Sequence, residues 1–143
     1  MTNGDAPLTR AVFFQVREPK AKLACLAETA AAKFERKEHL LILVEDEKAM
    51  QYVDELLWKS PETSFLPHIA TDELTTELIA ITRSKKNVNL SRIAFNLCST
   101  PLLIEGPFRI IYDFEDLTSP SKQQLSAVRF DAYKKAGFLI EAK

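Results

Sequence analysis

Residues 39–58 read HLLILVEDEKAMQYVDELLW, and the two halves of this stretch decide the fold. Residues 40–44 are all aliphatic, and so short an apolar run suits a strand covered on both faces, as in a parallel sheet. Asp46 follows, and its carboxylate can accept from the unpaired N–H groups of a first helical turn. Met50, Val53, Leu56 and Leu57 then recur at helical spacing as far as about Trp58. Strand followed by helix is half of a parallel crossover.

The same grammar extends toward the N-terminus. Residues 8–16 (LTRAVFFQV) form a nearly continuous apolar run that predicts a buried strand. Pro19 opens a helix to about Lys37, with Leu23, Leu26, Ala27, Ala30, Ala31 and Phe34 on one face. Downstream, residues 77–82, 90–98 and 108–114 predict three more strands. Ile93, Phe95 and Leu97 alternate with Arg92, Ala94 and Asn96, and Phe108, Ile110, Tyr112 and Phe114 alternate around Arg109 and Asp113. A last helix begins near Ser119, with Pro120 in its first turn. The order β-α-β-α-β-β-β-α predicts an α/β fold, a single open mixed, largely parallel sheet of about five strands flanked by helices. Residues 1–143 read as one domain, with residues 1–7 a polar lead-in.

Composition narrows the function. The chain has 143 residues, 46% hydrophobic, with a net charge of -1, which argues against a protein built to coat nucleic acid. Lys85, Lys86 and Arg92 are the only local reason to consider direct nucleic-acid contact. Cys25 and Cys98 lie far apart with no CxxC spacing, so reduced thiols in a cytoplasmic protein are expected rather than a disulfide or zinc site. No apolar run approaches the roughly 20 residues of a membrane span, and the first residues lack signal-peptide character. Only Gly4, Gly106 and Gly137 are glycines, and the turn after the first strand, REPKAK, has none. The sheet is therefore Rossmann-like without a phosphate-binding loop, and no cofactor is expected.

Carboxylates give the best argument for an enzyme. Glu45, Asp46 and Glu47 end one strand, and Asp113, Glu115 and Asp116 end another. Converging from two strand ends, Glu45/Asp46 and Asp113/Asp116 could hold Mg²⁺ for phosphotransfer or nuclease-like chemistry. Helix capping and dipole compensation explain the same residues, since each cluster precedes a helix. No metal site is expected on that reading. For His68, after Pro67, a structural hydrogen bond is expected rather than catalysis.

Two segments look like binding surfaces. In residues 121–138 (SKQQLSAVRFDAYKKAGF), Lys122, Ser126, Arg129 and Tyr133 form one helical row, beside an expected core face of Leu125, Val128, Ala132 and Ala136. A cationic stripe beside an apolar ring suits an acidic peptide with an apolar end. In residues 57–68 (LWKSPETSFLPH), Trp58, Pro61, Phe65 and Pro67 lie at or beyond a helix end, as a local mini-core or an aromatic anchor patch.

The stretches LLILVEDEKAMQYVDELLW (40–58), SPETSFLPH (60–68) and RFDAYKKAGF (129–138) together resemble the chi-subunit family of bacterial DNA polymerase III holoenzyme. The match is weaker over residues 69–119, where ATDELTTELIA replaces a glycine-containing loop. The resemblance implies a non-catalytic accessory subunit of DNA replication. It also implies two partners: the acidic C-terminal tail of single-stranded DNA-binding protein, and a psi subunit that tethers chi to the clamp loader. Carried onto this sequence, Lys122, Val128, Arg129, Tyr133, Lys134, Gly137 and Phe138 are expected at the tail site. Trp58, Pro61 and Phe65 are expected to face psi.

Overall fold

The computed structural model describes residues 8–61, 63, 66–104 and 108–143. Strands β1 (Arg10–Val16), β2 (Leu40–Leu43), β3 (Ile69–Ala70), β4 (Ile79–Thr82), β5 (Ile93–Asn96), β6 (Ile110–Asp116) and β7 (Leu139–Ala142) and helices α1 (Pro19–Glu35), α2 (Glu47–Lys59) and α3 (Pro120–Lys135) follow in the chain order β1-α1-β2-α2-β3-β4-β5-β6-α3-β7. The strands form one sheet in the order β3-β4-β2-β5-β6-β1-β7, and every neighbouring pair is parallel.

The α/β class read from the sequence holds, with two corrections. The sheet has seven strands rather than about five, and it is wholly parallel rather than mixed. The added strands, β3 and β7, are short edge strands, and edges lack the two-sided burial that makes a strand conspicuous. No helix separates β4, β5 and β6 along the chain, yet they do not form antiparallel hairpins. Instead β2 lies between β4 and β5, and β6 lies beside β5 as its parallel neighbour. A parallel connection needs about a dozen residues, but not a helix.

The sheet is apolar on both faces. Leu40, Ile42 and Val44 join Leu26 and Ala30 of α1 and Val53 and Leu57 of α2 in one core. Leu41 and Leu43 belong to a second core with Phe13, Leu102, Ile111 and Tyr133 of α3. Residues 40–44 are at most 2% exposed, as the five-residue aliphatic run predicts. Each such side chain removed from water contributes about 1.5–3 kcal/mol. Asp46 caps α2 by accepting from the Ala49 N–H at 2.8 Å.

Helix α3 reverses its expected orientation. Ser126, Arg129 and Tyr133 are buried, whereas Leu125 and Val128, read as core, are 43% and 56% exposed. The cause lies on β6. Asp113 points to the α3 face of the sheet, and its buried carboxylate requires donors there; the polar row of α3 supplies Arg129 and Tyr133 beside Asn96 and the Phe114 N–H.

The end of α3 has its own geometry. Gly137, at φ 88°, follows the Ala136 cap. Its N–H donates to the Lys134 carbonyl, and the Phe138 N–H donates to the Tyr133 carbonyl. The Phe138 ring stacks on Tyr133 with centroids 5.6 Å apart. This is a Schellman closure with its accompanying apolar contact. The sequence AYKKAGF is thus a helix ending that leads into β7.

Candidate functional site

A cleft of about 370 Å³ opens at the carboxyl ends of β2, β5 and β6. It lies between the first turns of α1 and α3, with Tyr52 and Val53 of α2 forming a further wall. This is the crevice where open parallel sheets generally bind ligands. Leu23, Leu26, Val53, Phe114 and Leu125 supply apolar lining. Lys22, Lys122 and Arg129 supply positive charge, and Glu45, Asp113 and Asp116 negative charge.

Arg129 is 6% exposed and forms the inner wall. Its Nε donates to Asp113 Oδ1 at 3.0 Å, one terminal nitrogen to the Ser99 carbonyl at 3.2 Å, and the other to the Phe114 carbonyl at 3.0 Å and Ser126 Oγ at 3.1 Å. Tyr133 is fully buried. Its hydroxyl donates to Asp113 Oδ2 at 2.7 Å and accepts from the Leu102 N–H at 3.0 Å and Asn96 Nδ2 at 3.2 Å. Burial pushes the Asp113 carboxyl up, opposed by Arg129, Tyr133, Asn96 and the Phe114 N–H. Burial, with the Asp113 charge, raises the Tyr133 phenol, so the hydroxyl stays a donor.

The other carboxylates are also engaged. Lys22 Nζ lies 2.8 Å from Asp116 Oδ2. Burial works against the Asp116 charge, but Lys22 and the hydroxyl and N–H of Thr118 outweigh it and hold the carboxyl at about 2. Glu45 accepts from the hydroxyl and N–H of Ser99, which lower its carboxyl below the ordinary range. Burial pushes the neighbouring Cys98 thiol up to about 12, leaving it a poor nucleophile. Among the described residues, no group of three or more His, Cys, Asp or Glu could hold a metal. Asp46 is committed to capping α2.

The structure therefore divides the expected tail residues. Lys122 and Arg129 line one cleft. Tyr133, Gly137 and Phe138 belong to the buried network and the helix ending, and Tyr133 has no open face for a ligand. Val128 and Lys134 are exposed on α3 but lie outside the cleft lining. Sequence reading missed the contribution of α1 and α2, namely Lys22, Leu23 and Tyr52. No local pattern marks them, because the sheet order alone brings them to α3.

The second segment keeps its surface character. Trp58 is 50% exposed and Pro61 is exposed; Phe65 lies outside the described residues. The Trp58 ring packs on His68 with centroids 4.2 Å apart. His68 Nδ1 faces the Leu66 carbonyl at 2.9 Å, and Nε2 faces Asp54 Oδ1 at 3.0 Å. His68 thus braces the end of α2, as a structural histidine would.

Fold and cleft define an all-parallel α/β domain whose ligand crevice has carboxylates tied to arginine, lysine and serine, and no glycine-rich phosphate turn. The comparison with family models specifies which domain of this class it is. Residues 8–141 match the DNA polymerase III chi subunit, HolC, and the chain belongs to that family. It is 32% identical over 120 residues to the DNA polymerase III subunit chi of Escherichia coli (strain K12), covering 82% of this chain and 80% of that one.

Proposed function

We propose that this chain is a non-catalytic accessory subunit of the replicative DNA polymerase III holoenzyme, linking the clamp loader to single-stranded DNA-binding protein by gripping its acidic C-terminal tail. The observation that carries the reading is the cleft between α1 and α3. It joins apolar walls to cations, the combination that an acidic chain with an apolar end requires. Asp113 and Asp116 are neutralised by Arg129 and Lys22. Lys122, exposed at the mouth, makes no ion pair among the described residues. Lys122 draws in the acidic run and the apolar wall receives the terminal side chain, while Arg129, paired with Asp113, holds the inner wall in shape. Exposed Val128 and Lys134 extend the contact along α3. Tyr133, Gly137 and Phe138 hold the helix in place.

Isothermal titration with the C-terminal peptide of the cognate single-stranded DNA-binding protein tests this reading. Binding should weaken as salt screens the charges. A peptide lacking the terminal apolar residue should lose most of the affinity. Equal binding of both peptides would remove the cleft from the account.

Trp58, Pro61 and Phe65 are the proposed psi-facing patch, on the strength of the exposed Trp58 ring. Trp58→Ala should weaken capture of psi and leave tail binding unchanged. Loss of both together would point to damaged folding at the Trp58–His68 contact.

A further inference from the structure

Helix α3 is a wall shared by two clefts of different charge. Lys122, Leu125 and Arg129 line the first. Gln123, Ala127, Phe130 and Asp131 line the second, of about 310 Å³, between α3 and the β6, β1 and β7 side of the sheet. The second cleft differs from the first in a decisive way. Three carboxylates line it, from Glu115, Asp131 and Glu141, and no lysine or arginine does. Its floor is aromatic, with the Phe13 and Phe130 rings 5.6 Å apart and Phe130 39% exposed.

We infer that this second cleft docks an arginine-bearing, otherwise apolar segment of a partner protein. Two independent features favour a cation there. Carboxylates lining the cleft give charge complementarity, and the partly exposed Phe130 ring offers a guanidinium an aromatic partner. Arginine suits both better than lysine, because its planar group stacks and forks at once. The carboxylates differ in availability. Glu141 is paired with Arg10, and Glu115 accepts from Gln15 Nε2 at 2.7 Å. Asp131 is exposed and makes no ion pair among the described residues, so it is the principal anchor. The volume is at the small end of ligand clefts, enough for one or two partner side chains. An acidic tail is repelled from this cleft, so the inference is independent of the proposed tail site.

The test is titration of the folded protein with the peptide Leu-Arg-Leu-Arg-Leu, followed by amide chemical shifts, with Leu-Asp-Leu-Asp-Leu as the opposite-charge control. The arginine peptide should shift residues 123–131 and 141, and Asp131→Lys should weaken it roughly tenfold, the scale of one charged hydrogen bond. Asp131 is exposed, so this variant should keep its fold. Ala127→Arg, which places a cation on the cleft wall, should weaken it again. Lys122→Glu should leave it unchanged, whatever happens to the acidic tail. Shifts confined to other residues, no binding at low salt, or equal binding of both peptides would overturn the inference.

Discussion

Burying a carboxylate as deeply as Asp113 is unfavourable by several kcal/mol unless donors surround it. Here they come from Arg129, Tyr133, Asn96 and the Phe114 N–H. Arg129→Met leaves that charge stranded and should cost about 3–5 kcal/mol in urea unfolding, whereas the double variant Asp113→Leu/Arg129→Met should recover much of the loss. Additive losses in this cycle would show that the pair is not the organising contact. Asp116 gives a pH prediction. Its folded value of about 2 lies below the ordinary 3.8, so its contribution is complete above the ordinary value and is lost as pH falls toward 2. In Lys22→Met, acid unfolding followed by circular dichroism should show a smaller loss across this window. These residues could be read from the sequence as important but not assigned roles. Lys122, Arg129 and Tyr133 stood out as one helical row, yet a row does not say whether its polar atoms meet water or a buried aspartate.

At the scale of elements, α3 shows how a buried charge overrides apolar patterning. Leu125, Val128, Ala132 and Ala136 have the spacing of a core face, and the structure leaves the first two largely in solvent. Leu125→Ala and Val128→Ala should therefore change stability by no more than about 0.5 kcal/mol, while Tyr133→Phe should cost about 1–3 kcal/mol by orphaning partners of its hydroxyl. Denaturant midpoints with unchanged slopes would check both. The reverse ranking would restore the apolar face as the core. The helix ending gives a second check. A Cβ at Gly137 would meet nothing within 4 Å, so Gly137→Ala should cost only backbone strain, about 1–2 kcal/mol. Central elements were legible because they are strongly patterned: residues 40–44 are apolar throughout, and Asp46 announces α2. Strands β3 and β7 were not, since short, half-exposed segments carry little periodicity.

At the scale of the molecule, sheet order creates the sites. β5 and β6 lie between β2 and β1, so α1 must span them, which brings Lys22 and Leu23 beside the start of α3. The alternating strands and helices at the start of the sequence signalled parallel crossovers there, but no local pattern encodes which strands are neighbours or that the whole sheet is parallel. The near-neutral net charge likewise concealed one mixed-charge cleft and one acidic cleft on either side of a single helix. The membership in the chi family accords with a domain whose crevice retains the location of a ligand site while its carboxylates serve structure. The most direct measurement is calorimetric titration of the cognate single-stranded DNA-binding protein's C-terminal peptide into this protein and into its Lys122→Glu variant, both verified as folded. The account predicts saturable binding that the substitution weakens at least about threefold, with a smaller salt dependence in the variant. Absence of binding to the unaltered protein, or identical curves for the two, would contradict it.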